Sequence, residues 1–217
     1  MALPTDAAHG VALTERVIAS VEADPSRLIL DYAPWAGPWV AGAAEPVPAD
    51  VLDAAVFPSG RPLPPSLRRW LAYDGGMLRR FDWFDPAYRF TPRTLGQLAL
   101  DEYGDMWGAC YEPLSSRFDE CFLLPGGSDS RRVLATGEPD EYGEYPVFAL
   151  DVDDLPCIEL MYPGLDVYLA DTAGLLAARE APGYSTLADD REYGRRMRSH
   201  ARQVFAGELS EICLGEW

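Results

Sequence analysis

Apolar residues in this chain recur first at helical spacing and then at strand spacing. Over 14–23, Val17, Ile18 and Val21 fall at i, i+1 and i+4, which predicts a short helix that Thr14 can cap and Asp24-Pro25 ends. Over 63–76, Leu67, Trp70 and Leu71 share one helical face, and Arg68 and Arg69 take the other. Pro64-Pro65 suits the first turn, where a proline's missing N–H would have had no partner. Gly75 or Gly76 is expected to end that helix in the left-handed conformation. A third helix is predicted over 94–103. A fourth spans 189–206, with Tyr193, Met197, Ala201, Val204 and Phe205 on one face.

Between the third and fourth helices the period shortens. Strands are predicted near 120–124, 131–136, 146–152, 157–162 and 165–170, the first ended by Pro125-Gly126-Gly127. Pro163-Gly164 fits the centre of a type II turn, because glycine accepts positive φ there. The aromatics Phe81, Trp83, Phe84, Tyr88 and Phe90 follow no regular period. Over 32–48, four prolines accompany Trp35 and Trp39, and burial of the tryptophans would make this an ordered cover over the core. These elements describe an α+β chain with one multi-stranded, mainly antiparallel sheet packed by helices. The expected division is a helix and Pro/Trp-rich cover over 1–49, the α+β domain over 50–206, and a tail over 207–217.

Composition refines this picture. At 217 residues and 48% apolar content the chain can bury a full core without staples. The N-terminus lacks the basic start and apolar run of a signal peptide, and no uncharged stretch is long enough to span a bilayer, so a cytoplasmic location is expected. Cys110, Cys121, Cys157 and Cys213 are widely spaced, which in that compartment predicts four reduced thiols. All basic residues are arginine; Arg195, Arg196, Arg198 and Arg202 read as a solvated face of the last helix that complements its dipole.

The net charge is -17, and between Arg132 and Arg179 ten carboxylates stand with no basic residue among them. Acidic side chains interleaved with apolar ones on adjacent strands would give a negative sheet face or rim. Such a field repels nucleic acid and anionic membranes and attracts basic partners; it also simply keeps a protein soluble. Near the turns, Glu141, Glu144, Asp153, Asp154 and Asp166 are the expected contacts, with Tyr142 and Tyr145 as aromatic anchors.

Catalytic signals are sparse. The two histidines, His9 and His200, have no neighbouring nucleophile motif, and a chain without lysine has no Walker motif. Asp151-Val152-Asp153-Asp154 would be the place to hold Mg²⁺ or Ca²⁺, and strand-end aspartates in a turn explain it equally. No cofactor is expected.

The segment Leu63-Pro64-Pro65-Ser66-Leu67 to Asp74-Gly75-Gly76 resembles the signature of the SUKH superfamily, in which a leucine-proline pair opens a helix that ends in a glycine pair. The stretch from Gly143-Glu144-Tyr145-Pro146-Val147 through Asp151 to Tyr162-Pro163-Gly164-Leu165 is similar to the strand region of a bacterial branch of that superfamily. The resemblance covers 50–206. It implies a SUKH-like α+β fold and a non-catalytic binding role, that of an immunity protein neutralising a cognate bacterial toxin, with a basic nuclease as one possible target. It carries no shared catalytic set. Two function classes stand open: this binding module, and a small metal-dependent hydrolase using Asp151, Asp153 and Asp154. A toxin gene next door would favour the first, and metal-dependent thermal stabilisation the second.

Overall fold

The computed structural model describes residues 8–24, 38, 40–118, 120–125, 130–151, 157–176, 187–191, 193–204 and 212–213. The first helix, α1 (Gly10–Ala23), buries Leu13, Val17, Ile18 and Val21 against two later helices. Thr14 lies inside it, its hydroxyl donating to the Gly10 carbonyl at 2.9 Å, so it does not cap. The short α2 (Ala49–Ala54) follows. In α3 (Pro65–Leu71), Leu67, Trp70 and Leu71 are fully buried, as the pattern predicts.

The glycine pair after α3 behaves differently from the expectation. Gly75 has φ −98°, and Gly76 opens α4 (Gly76–Arg79). Buried Asp74 accepts the Met77 N–H and the Glu45 N–H, both at 3.0 Å, which starts that turn and ties down the preceding segment. Gly75 packs closely: a Cβ there would lie 3.0 Å from Val47 Cγ2, so the valine would have to give by a few tenths of an ångström.

Thr94 and Gln97 form a reciprocal capping box at the start of α5 (Leu95–Tyr103). Gly104, at φ +98°, breaks the chain into α6 (Asp105–Tyr111). The two helices pack so closely that a Cβ on Gly108 would fall 2.8 Å from Leu100 Cβ. A 3₁₀ turn (Glu112–Leu114) leads to the sheet.

The sheet is an antiparallel meander of β1 (Cys121–Leu124), β2 (Ser130–Ala135), β3 (Val147–Asp151) and β4 (Cys157–Tyr162), with a two-residue β5 (Ile212–Cys213) on the β4 edge. Phe122 shares a face with Leu134 and Val147 by register and packs on Phe57, Trp83 and Phe90. Leu123 shares the other face with Val133 and Phe148, and Phe148 packs on Phe118. Both faces are covered, which is why β3 reads Val-Phe-Ala-Leu without alternation. The expected negative sheet face is therefore corrected: among the described residues the exposed acids of this region lie on turns.

The segment predicted as a strand near 165–170 is a helix, α7 (Leu165–Thr172). All six residues are buried, and a helix surrounded on every side is apolar all round, so its run mimics a buried strand. Gly164 has φ −177°, extended backbone, so the type II turn is also corrected. The last described helix, α8 (Tyr193–Val204), packs beside β4 and buries Tyr193, Met197 and Ala201 as predicted; Phe205 lies outside the described residues. Helices α1, α3 and α7 pack together, and one continuous core runs from Leu13 to Ala201, so the boundary placed at residue 49 does not divide it. Cys121 and Cys157 are buried thiols and Cys110 is half-buried; Trp35, Trp39 and the Cys213 side chain lie outside the described residues.

Candidate functional site

The acidic run divides sharply between surface and interior. Glu138 and Glu141 are exposed, and Glu159 and Asp171 are half-buried. Asp140, Glu144 and Asp166 are buried, at 7%, 0% and 0% exposure. Asp153, Asp154 and the Asp151 side chain lie outside the described residues. Of the seven expected contacts, Glu144, Tyr145 and Asp166 are therefore corrected to interior positions. Tyr145 is 1% exposed, packs on Phe57 and donates its hydroxyl to the Pro62 carbonyl at 3.1 Å. Glu141 stays exposed and Tyr142 half-buried on one tight turn.

The buried carboxyls meet around Arg196 of α8, which the sequence reading placed on a solvated face. Its Nε donates to Asp140, and its Nη1 and Nη2 donate to Asp166 at 2.8 and 3.0 Å. Burial opposes the guanidinium charge, but Asp166 and Asp140 outweigh it and hold the pKa above the usual arginine value. Asp166 also accepts the Gly10 N–H at 2.7 Å, which fixes the start of α1. Asp140 accepts the Tyr142 and Glu144 N–H groups at 2.8 and 3.0 Å, which shapes the turn.

Glu144 points to α3, where Ser66 donates from its backbone N–H at 2.9 Å and from its hydroxyl. Burial, and then the Asp166 charge, push its carboxyl up to about 8. His200 Nε2 donates to the Pro163 carbonyl at 2.9 Å, and burial pulls its imidazole down to about 4. Near neutral pH the cluster thus holds a protonated Glu144, a neutral His200 and one arginine shared by two carboxylates.

The arrangement joins the starts of α1, α3 and α7 to the 140–145 turn and α8. Asp140, Glu144, Asp166, Arg196 and His200 are all buried, and their hydrogen bonds tie these elements to one another. Among the described residues no group of three or more His, Cys, Asp or Glu side chains is arranged to hold a metal ion. The sequence did carry one signal for Arg196. Tyr193, Met197 and Ala201 set the apolar stripe of α8, and Arg196 and His200 fall within it, at i+3 and i+7 from Tyr193.

Above the cluster lies the surviving surface. The His9 ring stacks on Tyr142 at 4.4 Å between centroids, and the Arg196 guanidinium sits 5.0 Å from the Tyr142 ring. Glu141 pairs with exposed Arg195 at 2.7 Å. A separate shallow depression of about 230 Å³ is lined by Glu45, Asp74, Gly76, Arg79 and Arg80; its Arg79 pairs with Glu45 at 2.7 Å.

No family model and no curated protein matches the chain. Among solved structures it is similar to an uncharacterized protein from Salmonella enterica subsp. enterica serovar typhimurium str. 14028s. The two share 16% identity over 89% of this chain and 90% of that one, with a TM-score of 0.56. At that identity the likeness shows the fold alone.

Proposed function

We propose that the chain is a non-catalytic protein-binding domain of SUKH type, a cytoplasmic immunity protein that neutralises a cognate, basic toxin by direct contact. The observation that carries this reading is the Glu141–Tyr142 turn, an acidic and aromatic surface element fixed from beneath by Asp140 and Arg196. A turn held in one shape loses little entropy on binding, and tyrosine is a frequent anchor of protein interfaces. The net charge of -17 would speed encounter with a basic surface. No helix of the described residues is long and apolar enough to cross a membrane.

The test begins with a pull-down from the native cytoplasm and continues with kinetics on the purified pair. Raising salt should slow association much more than it speeds dissociation. Tyr142→Ala should raise the dissociation rate, and reversal of Asp153 and Asp154 to Arg should lower the association rate with the fold intact. A cognate partner whose kinetics ignore salt and all these changes would reduce the surface to a solubility face.

A further inference from the structure

The buried cluster holds three carboxyl groups and one guanidinium. The groups acting on Glu144 are Asp166 on α7, Ser66 on α3 and Arg196 on α8. Around them, Asp140 on the turn and His9 before α1 contact Arg196, His200 lies 3.9 Å from Asp140, and Tyr193 meets His9 edge-on. The donors of Arg196 go to Asp140 and Asp166, with His9 Nδ1 also 3.1 Å from Nη1. Among the described residues, the Glu144 carboxyl accepts only from Ser66, whose donors are neutral. His200 supplies no second cation: its Nε2 proton is committed to Pro163 O, and its Nδ1 lone pair has no donor among the described residues. An ionised Glu144 would be an unpaired negative charge, sealed from water, beside two others. Burying such a charge costs several kcal/mol, and the group keeps its proton instead.

We propose that Glu144 is a proton-gated latch: protonated, it clamps the start of α3 to the 140–145 turn, and ionised, it releases that turn together with the residues docked on it. The Glu144 N–H and the Tyr142 N–H both end on Asp140, so movement of Glu144 reaches Asp140, Arg196 and the α1 start at Gly10. Direction follows from linkage. A carboxyl raised from 4.5 to about 8 favours the closed state at low pH and loses that preference as pH rises to about 8. His200, lowered from 6.5 to about 4, works in the opposite sense and is spent above 6.5. Tyr193, pushed up to about 12 by burial first, stays neutral throughout. Between 6.5 and about 8 the slope from Glu144 is no longer offset by His200.

The released turn carries Glu141 and Tyr142, but the test uses the free full-length chain and so stands apart from partner binding. Hydrogen exchange is followed by mass spectrometry from about pH 6 to about pH 9, corrected for intrinsic rates. Segments 10–14, 66–68 and 140–146 should open about tenfold more for each pH unit and level off near the top of the range, while β1 and β2 stay closed. Glu144→Gln, which cannot ionise, should abolish the rise. Exchange that is flat with pH, or that rises equally in Glu144→Gln, overturns the latch. If the glutamine variant does not fold, a ¹³C titration of the Glu144 carboxyl in the unaltered chain decides. A midpoint above neutrality supports the proposal, and one in the ordinary carboxylate range overturns it.

Discussion

The aromatic cluster around Phe122 and the charged cluster around Arg196 are both buried, and both seal distant segments onto the sheet. The first joins Phe57, Trp83, Phe90 and Tyr145 to β1 and the turn, with ring centroids 4.7 to 6.0 Å apart. Its polar edges are few: Trp83 Nε1 donates to the Leu123 carbonyl at 2.5 Å, and Tyr145 donates to Pro62. Dispersion and burial are non-directional, so trimming one ring leaves no buried charge without a partner. The second cluster depends on its centre, because removing Arg196 strands Asp140 and Asp166 together in a dry interior. The same task is thus done once by a tolerant material and once by an intolerant one.

Removing the centre of each cluster separates the two most strongly. Arg196→Met leaves Asp140 and Asp166 uncompensated and should cost about 3–5 kcal/mol in urea unfolding at neutral pH. Phe122→Leu keeps an apolar side chain of similar reach and should cost about 1–1.5 kcal/mol. Equal losses for the two would mean that the charged cluster has no special intolerance.

Crowding gives the next largest contrast. A Cβ on Gly164 would lie 2.6 Å from Asp166 Oδ1, 2.7 Å from Arg196 Nη2 and 2.7 Å from Glu144 Cβ. Gly164→Ala should therefore force the ion pair apart and cost about 1–3 kcal/mol. A Cβ on Gly137 meets nothing within 4 Å, so Gly137→Ala should stay within about 0.5 kcal/mol in the same thermal melts. Matching shifts in Tm would show that the cluster yields without cost.

Acidity acts on one cluster only. Between pH 6.5 and about 8 the unfolded chain has lost the Glu144 proton that the folded chain still binds, so stability should fall as pH rises, by about 2 kcal/mol across the window. Below 6.5 the opposite slope of His200 offsets it, down to about 4.5. Phe122→Leu should retain this profile and Glu144→Gln should flatten it. A pH series of denaturant midpoints measures both.

This contrast also explains what could be read in advance. Leu67, Trp70 and Leu71 announce their burial because one spacing and one chemistry agree, and β1 to β4 follow from short apolar runs closed by turn residues. Helix α7 was misread because full burial erases the period that tells helix from strand. Glu144 and Asp166 were misread because a carboxylate near a turn is ordinarily solvated, and their partners Ser66 and Arg196 lie 78 and 30 residues away. Pairing at that distance is a property of the fold, visible beforehand only as an arginine that falls within an apolar stripe.

The smallest effect on folding is expected at Glu141, one residue from the buried Asp140. Its ion pair with Arg195 is open to solvent, with side chains 48% and 62% exposed. Such pairs contribute little because water screens them and ordering two long side chains costs entropy. Glu141→Arg should therefore shift stability by no more than about 0.5 kcal/mol, although it places like charges together. If this turn meets a basic partner, the same change should slow association while leaving melting and the pH profile unaltered. Stopped-flow binding at low salt, paired with a thermal melt of the same variant, reads both quantities. A large loss of stability would mean that the surface turn and the buried cluster act as one unit, and unchanged association would remove Glu141 from the contact surface.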